Sequence, residues 1–449
     1  MSKAREGRSR RLHRRDWPGF LNRVVPAGIW QAFAGQVKPS KDPRLRWSAK
    51  YIVLAWMVMG WSLQTQLTER FREAGEFLGQ CFARRRRPGE SYQGLIKATR
   101  RLGPKVFHRF WECLRATVPA RLSQTWTWFG WVVMAVDGSR IDAPRTRRNE
   151  KSLHRAGREK THPQWWITWI THLPSNLIWD WRQGPGNSAE RVHLRQMIRS
   201  LPKRVLVVAD AGFGGFDLWW RLSRTGCDFL VRCGSNTTLL VEGAFQQIAR
   251  EGGQQYVYLW PRKHRGRRPL RLRLIVLKRG GQRVYLLTNV LDSTHLSRPM
   301  ASKFYAARWG IETEYRALKQ TMGRRKVLAK TPEPGAAELA GNILALAMLV
   351  LQAAIVLASR IARLSVASAL KVIREALETV RWNGRFPQFW ALLRTAVKDQ
   401  YRRHGSKRAR DWPHKKREPP PGPPHLRRLS RNEKARIERL WSDNATVLG

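Results

Sequence analysis

Two continuous apolar runs, each closing on an aspartate, constrain the fold of this chain most. WVVMAV leads into Asp137, and VLVVA leads into Asp210. Uninterrupted runs of this kind are typical of strands buried on both faces by helices. The intervening sequence predicts a β-hairpin, QWWITWITHL and LIWDWRQG around residues 174–176, and then a helix capped by Asn187 or Ser188. A further helix and the strand DFLVRC follow, so the order predicts a mixed α/β sheet.

Changes in composition divide the chain into six regions. They are residues 1–125, 126–233, 234–293, 294–330, 331–400 and 401–449. The first is basic with helical apolar spacing, and the second carries the α/β pattern. The third has β-rich runs joined by Gly and basic turns, which predicts an antiparallel insertion. The fifth is apolar and helical and suited to covering one face of the sheet. The last is charge-dense and Pro-rich, which predicts a disordered or loosely ordered tail.

The longest apolar run, residues 343–358, predicts a buried core helix. It is interrupted by Gln352 and is shorter than a membrane-spanning segment. The basic N-terminus lacks the apolar stretch of a secretory signal. The four cysteines are too scattered for a disulfide framework or a zinc site. We therefore expect a cytoplasmic protein without a membrane partner.

Charge predicts the partner. The chain has 85 Lys and Arg against 32 Asp and Glu, a formal net charge of +53. Such a chain binds polyanions at ordinary salt, and nucleic acid is the default partner. Its basic residues are spread too widely for one membrane-surface helix. Four consecutive arginines, Arg84, Arg85, Arg86 and Arg87, form either a phosphate-contacting patch or a solvated linker.

The two aspartates are candidate metal ligands. The carboxyl ends of neighbouring strands in an open α/β sheet form the crevice where ligands bind, so Asp137 and Asp210 face one crevice if their strands are adjacent. Each also has a structural interpretation. Asp137-Gly138 is a common hairpin-turn dipeptide, and Asp210 can cap the helix that follows it.

A third carboxylate lies in YAARWGIETEYRALK, residues 305–319, where we expect one helix from about Met300 to Gly323. On an ideal helix Tyr305, Arg308, Glu312 and Lys319 fall within an arc of roughly 60°, with Arg316 beside them. Glu314 points the other way. A phenol, a carboxylate and several cations on one face suit an external anion. The alternative is a solvated face with an Arg308–Glu312 salt bridge.

The spacing Tyr305-x2-Arg308-x3-Glu312-x6-Lys319 resembles the YREK signature of bacterial insertion-sequence transposases of the DDE class. The segment AVDGSRIDAP is similar to that family's first aspartate strand, and VVADAGFGG to its second. The β insertion before the glutamate helix is also a family trait. The resemblance covers about residues 130–365, so regions 126–233 and 294–330 would form its catalytic core.

The resemblance implies a ribonuclease H-like core in which Asp137, Asp210 and Glu312 hold two Mg²⁺ or Mn²⁺ ions. Tyr305, Arg308 and Lys319 would contact phosphates of the element-end DNA. We add Arg316 and the four-arginine run to these DNA-contacting candidates. The expected activity is cleavage of the element ends and their joining to target DNA by phosphoryl transfer. The expected partner is double-stranded DNA, the terminal inverted repeats and the target, bound by a dimer near the nucleoid.

Some members of that family cut through a DNA hairpin, with a tryptophan holding a flipped base. The corresponding strand here, RVYLLTNV, offers Tyr285 and no Trp, and Trp260 is an alternative. Two rival functions keep much of the same pattern. One is a ribonuclease H-like nuclease or resolvase without strand transfer, and the other is a catalytically inactive DNA-binding descendant.

Overall fold

A computed structural model describes most of the chain. The described residues are 23–38, 45–82, 88–154, 162–242, 254–279, 282–383, 389–398 and 421–442. All four arginines of the run Arg84–Arg87 lie outside the described residues, because residues 83–87 are not described.

The N-terminal region consists of helices. They are α1 (Ala27–Gly35), α2 (Ala49–Trp61), α3 (Leu67–Cys81), α4 (Tyr92–Leu102), α5 (Lys105–Arg115) and the short α6 (Val118–Arg121). Serines begin two of them: Ser48 accepts a hydrogen bond from the Tyr51 amide, and Ser91 accepts one from the Gly94 amide. Helix α2 is apolar on nearly all sides and buried along its length, so it forms part of the core.

The α/β region follows the predicted order. Its elements are β1 (Val132–Asp142), α7 (Arg147–Leu153), β2 (Gln164–His172), β3 (Leu177–Pro185), α8 (Glu190–Met197), β4 (Val205–Ala209), α9 (Phe216–Arg224) and β5 (Asp228–Cys233). The strands lie in the order β3-β2-β1-β4-β5. Strands β1, β4 and β5 are parallel, and β2 is antiparallel to both β1 and β3. This is the arrangement of a ribonuclease H-like core, so the predicted fold class is confirmed.

Two local predictions in this region were wrong. Strand β1 does not end at Asp137 but continues to Asp142, because the hairpin strand β2 pairs with it along that whole length. Helix α8 has Ala189 at its N-cap position and no side-chain cap, so neither Asn187 nor Ser188 fills that role. The predicted hairpin itself is confirmed as β2 and β3.

The insertion extends the same sheet. Its strands are β6 (Thr238–Val241), β7 (Gln254–Leu259), β8 (Leu270–Arg279) and β9 (Gln282–Thr288). They pair antiparallel with one another in sequence, and β9 also pairs antiparallel with β5. The insertion is therefore continuous with the core sheet through β5.

The segment after the insertion was predicted as one helix and is three pieces. They are α10 (Arg298–Ala307), α11 (Gly310–Arg316) and a π-helical turn, Ala317–Thr321. Between α10 and α11 the hydrogen bonds tighten: the Ile311 amide donates to the Arg308 carbonyl at 3.0 Å, and the Glu312 amide donates to the Trp309 carbonyl at 3.2 Å. The prediction from an ideal helix therefore does not hold in detail.

Three helices follow: α12 (Pro332–Leu357), α13 (Val366–Asn383) and α14 (Phe389–Arg394). By length and hydropathy the stretch Pro332–Arg363 could cross a membrane, but 89% of its apolar window is buried inside the protein. This confirms the predicted core helix.

Helix α12 does more than cover the sheet, because it packs along α2 and also contacts β3. A Cβ added at Gly341 would lie 2.8 Å from Trp56 Cβ, and one at Gly60 would lie 2.6 Å from Ala345 Cβ.

The tail was predicted to be disordered or loosely ordered, and this is wrong for residues 421–442. They contain β10 (His425–Arg428) and α15 (Arg431–Ser442). Strand β10 pairs in parallel with β6, which makes a sheet of ten strands. Ile437 of α15 is buried with Leu240, Tyr258 and Trp260 of the insertion. A few apolar side chains within a charged sequence are enough to hold this segment, because the sheet edge supplies backbone hydrogen bonds.

A buried carboxylate joins α12 to the N-terminal helices. Glu338 accepts hydrogen bonds from the Leu328 amide and from the Ala329 amide at 2.9 Å. It also lies 3.6 Å from the Arg70 guanidinium, with both side chains almost fully buried. Arg324, close to both, donates to backbone carbonyls of residues 59–62.

We predict that Glu338→Ala lowers the free energy of unfolding by about 3–5 kcal/mol, because it leaves the buried Arg70 guanidinium without its ion-pair partner and two amides without an acceptor. Glu375→Ala, which removes an exposed pair with Lys371, should change it by less than about 0.5 kcal/mol. Urea unfolding of both variants measures the difference. Equal losses would contradict the role of Glu338.

Candidate active site

The register of the parallel strands brings the two aspartates together. The last parallel pair of β1 and β4 is Ala135 opposite Val208. Asp137 and Asp210 each lie two residues beyond that pair, so they stand at the same level on neighbouring strands, whose spacing is about 4.8 Å. This level is the carboxyl edge of the parallel part of the sheet, where α/β proteins bind ligands.

Asp137 lies within β1, so the turn interpretation of Asp137-Gly138 is wrong. Its Oδ1 accepts a hydrogen bond from the Gly138 amide at 2.9 Å. Burial raises the pKa of Asp137 to about 6. The negative charges of Asp210 and Glu312 raise this pKa further, whereas the Gly138 amide and the Arg308 guanidinium lower it. These four groups therefore surround one carboxyl group.

Asp210 follows β4 directly and enters a short 3₁₀ turn, Ala211–Phe213. Its Oδ1 accepts a hydrogen bond from the Gly212 amide at 2.9 Å. The capping interpretation of Asp210 is thus correct locally. It does not compete with a role in the site, because a carboxylate holding one amide retains other lone pairs.

Glu312 and Glu314 have different surroundings. Glu312 is half-buried and close enough to Asp137 to affect its pKa. Glu314 is 2% exposed, and its Oε2 has no hydrogen-bond partner within the described part of the chain. Burial raises the pKa of Glu314 to about 8, and the charge of Lys398 lowers it in part. The choice of Glu312 over Glu314 agrees with these positions, although the ideal helix on which it was based is interrupted.

Tyr315, three residues after Glu312, fixes α11 against the sheet. Its ring stacks on Trp169 of β2 with centroids 3.9 Å apart and an interplanar angle of 5°. Its hydroxyl donates a hydrogen bond to the carbonyl oxygen of Asp137 at 2.7 Å. The sequence pattern did not single out Tyr315. Its spacing from Glu312 was the available signal, since residues three apart share a helix face.

At the break before α11 the backbone lies close to the β2–β3 hairpin. A Cβ added at Gly310 would lie 3.3 Å from Oδ1 of Asn176, which is in the turn between β2 and β3. Because Gly310 has no side chain, the backbone approaches the hairpin closely at this point. Arg308 and Trp309 form the connection just before it.

The predicted phosphate-contacting residues divide into buried and exposed positions. Arg308 is 7% exposed, and its Nε has no hydrogen-bond partner among the described residues. The buried ring of Tyr305 lies 5.5 Å from the Arg308 guanidinium carbon and supports it. Lys319 donates a hydrogen bond to Ser139 Oγ at 2.7 Å, beside Asp137 on β1. Arg316 is exposed.

Glu190, the first residue of α8, was not predicted from the sequence and lies at the same edge. The pKa of Glu190 is raised to about 7, mainly by burial and in addition by the negative charges of Asp210 and Asp137. A Glu in the first turn of a helix is common, so nothing in the sequence pattern distinguishes it.

Neither of the two predicted aromatic candidates, Trp260 and Tyr285, is exposed, whereas a third aromatic residue is. Trp260 is buried and donates to two backbone carbonyls, so it is not placed to hold a base. Tyr285 is partly buried against the core through β9. Trp309, which the sequence pattern did not single out, is 56% exposed and lies against Arg308.

The donor set suits a hard divalent cation. Carboxylate oxygens from several elements, without His or Cys, are the ligands that Mg²⁺ and Mn²⁺ prefer. As placed, no group of three His, Cys, Asp or Glu side chains in the described part of the chain is arranged to hold a metal ion. A divalent cation would offset the repulsion between carboxylates at one edge of the sheet.

Comparison with known proteins gives a family similarity for the part of the chain that contains this site. Residues 128–348 match the family model described as a transposase DDE domain. The chain is 26% identical over 278 residues to the transposase InsG for insertion sequence element IS4 of Escherichia coli strain K12. That match spans 58% of this chain and 60% of the relative.

Among solved structures, a piggyBac transposase synaptic complex with hairpin DNA is similar over 88% of this chain and 87% of that chain. Its TM-score is 0.38 at 10% identity, too low to carry an argument. The family match is independent of it. Residues 128–348 are thus similar to a transposase DDE domain, and the chain is similar to an insertion-sequence transposase. Both matches support the predicted family, whereas the YREK signature and the roles of individual residues stay predictions.

The raised pKa of Glu314 predicts a pH dependence of stability. A carboxyl group whose pKa rises from 4.5 to about 8 on folding favours the folded state at low pH. That contribution is lost as pH rises from about 4.5 to about 8. Glu314→Gln keeps the shape without the charge, so it should unfold at a higher temperature than wild type at pH 8 and differ little at pH 4.5. Thermal unfolding at the two pH values measures this, and a difference independent of pH would contradict it.

Proposed function

We propose that this protein is a DNA transposase that cleaves the ends of an insertion sequence and joins them to target DNA. The observation that carries the proposal is the register that sets Asp137 and Asp210 at one level on neighbouring strands, supported by Glu312 of α11, which is close enough to affect the pKa of Asp137. In this proposal the three carboxylates hold two Mg²⁺ or Mn²⁺ ions. Two such ions, when bound, activate an attacking oxygen and stabilise a leaving oxygen in phosphoryl transfer.

Arg308 has the features of a phosphate-binding group. Its guanidinium is buried beside the carboxylates, fixed by the ring of Tyr305, and its Nε is unpartnered among the described residues. A buried guanidinium that lacks an acceptor is costly unless an anion completes it. The phosphate of the strand to be cut is the anion that belongs there, and its geometry matches the guanidinium.

Lys319 and Arg316 extend the positive surface around that phosphate. One N–H of the Lys319 ammonium group donates to Ser139, and its two other N–H groups can bind phosphate oxygens. Arg316 faces solvent at the end of α11. Together with the net charge of +53, these cations favour DNA held along this face by its backbone.

The remaining parts of the proposal concern assembly and location. Cutting two element ends together calls for two active sites, so the protein would act as a dimer on DNA. Its substrates would be the terminal repeats and the target DNA. It would work in the cytoplasm at the nucleoid.

The first test compares Glu312 with Glu314, two residues further along the chain, in the cleavage of a duplex that carries the element's own terminal sequence. Glu312→Gln should bind the duplex but nick it at least about 10²–10³-fold more slowly, because it removes a charged metal ligand. Glu314→Gln should nick at the wild-type rate, because Glu314 lies away from the site. Nicking and strand joining are followed on denaturing gels with Mg²⁺ or Mn²⁺.

Each alternative outcome has a distinct meaning. Normal nicking by Glu312→Gln removes the catalytic assignment. Nicking without joining by wild type favours a nuclease or resolvase. Binding of all three proteins without any cleavage favours an inactive DNA-binding descendant.

Trp309 offers a second test, because it is the exposed aromatic beside Arg308. A base stacked on it would contribute about 1–3 kcal/mol, so Trp309→Ala should weaken binding of the terminal duplex by about five- to 150-fold. Trp309→Phe should keep most of the affinity. Phe129→Ala is the matched control, since Phe129 is 53% exposed but precedes β1 at the other end of the strand. Equal losses at both positions would contradict a stacking role, as would none at Trp309.

A further inference from the structure

Glu190 approaches the two aspartates from the other face of the sheet. Successive strand residues point to opposite faces, so positions 137 and 138 of β1 face different sides. Helix α11 is on the side of Asp137, because Tyr315 stacks on Trp169, the cross-strand partner of Asp137. Glu190 lies over position 138 and therefore belongs to the opposite side.

Two glycines make room for this carboxylate. A Cβ added at Gly138 would lie 2.3 Å from Oε1 of Glu190, and one at Gly212 would lie 3.3 Å from Oε2. Neither glycine has a positive φ, so backbone conformation does not require glycine at either position. Because Gly138, the residue after Asp137, has no side chain, the Glu190 carboxylate can occupy that space. The Glu190 carboxylate also reaches the turn that follows Asp210.

No cation of the protein neutralises Glu190 directly. Among the described residues it has no hydrogen bond and no ion pair. Arg140 and Arg191 attract it at longer range, but both are engaged elsewhere. Arg140 stacks on Trp166 at 4.8 Å, and Arg191 donates to the Gly214 carbonyl at 2.9 Å. The half-buried carboxylate thus faces two others without a counter-charge in contact.

A purely structural role does not account for this position. An acid in the first turn of a helix interacts favourably with the helix dipole, by about 0.3–1 kcal/mol at an exposed site. Glu333, in the first turn of α12, is exposed and serves that role without approaching other carboxylates. Glu190 instead reaches over Gly138 towards both aspartates, which costs repulsion that a cation would offset.

We propose that Glu190 is a fourth metal-binding carboxylate, which holds divalent ions together with Asp137 and Asp210 from the sheet face opposite Glu312. The inference rests on the proposed function, because the ions are those of the phosphoryl transfer. It deepens that function by enclosing the ions from both faces of the sheet.

The test measures Mn²⁺ binding by the full chain, free and bound to the terminal duplex, with unbound Mn²⁺ counted by electron paramagnetic resonance. Glu190→Gln keeps the side-chain shape and removes the charge. It should weaken Mn²⁺ binding by at least about tenfold, the lower end of what is lost with groups around metal ligands. Glu333→Gln is the matched control and should bind Mn²⁺ like wild type. A Glu190→Gln protein that binds Mn²⁺ like wild type would overturn the inference.

A double-mutant cycle tests the contact that supports the proposal. Gly138→Ala places a Cβ where the carboxylate stands, so it should weaken Mn²⁺ binding about as much as Glu190→Ala. The double variant should lose no more than either single one, because the displaced carboxylate is already gone. Additive losses would show that Gly138 and Glu190 act independently, which contradicts the proposal.

Failure of the inference is distinguishable from failure of the proposed function. If wild type cleaves the duplex and Glu190→Gln binds Mn²⁺ and cleaves equally well, only the fourth ligand is wrong. If wild type neither binds Mn²⁺, free or on DNA, nor cleaves, the proposed function is wrong and the inference falls with it.

Discussion

The contact of Tyr315 with β1 and β2 is the interaction on which the site depends. Two carboxylates follow from the sheet itself, since parallel register aligns the strand ends. The third comes from a helix more than a hundred residues later and must be docked separately. A ring stacked on Trp169 and a hydroxyl bonded to the Asp137 carbonyl fix both the distance and the rotation of α11. Because Tyr315 and Glu312 are on the same helix, the hydrogen bond to the Asp137 backbone also positions Glu312 relative to Asp137.

The interrupted helix fits this docking. Between α10 and α11 the backbone hydrogen bonds join residues three apart, as in a 3₁₀ helix. After α11 they join residues five apart, as in a π-helix. A 3₁₀ connection winds more tightly than an α-helix, and a π turn winds less tightly. The two deviations therefore act in opposite rotational senses around Glu312. Such departures often mark functional segments, because tertiary contacts hold them against the helix's own preference.

The sequence predicted the fold because its signals are local, and for the same reason it singled out two carboxylates as candidates. Buried-strand runs, a hairpin and a long apolar helix are visible in composition alone, and Asp137 and Asp210 follow such runs. The break at Arg308 could not be predicted, since it lies where Gly310 meets Asn176 of a distant hairpin. Glu190 was missed for a similar reason. Its environment is created by Gly138 within β1 and by Gly212 in the turn after β4, and in sequence it resembles any acid at a helix start.

The parallel pairing of β10 with β6 has a consequence for how the molecule assembles. Strand β6 belongs to the middle of the chain, yet its outer neighbour comes from a segment beyond all the helices that surround α12. Such a pairing closes a long loop, so its entropic cost favours formation after the rest of the sheet. Until then the edge of β6 and the apolar side chains of Tyr258 and Trp260 are accessible to other chains. Completion of this edge is therefore the step at which a folding molecule is most exposed to pairing with a second copy.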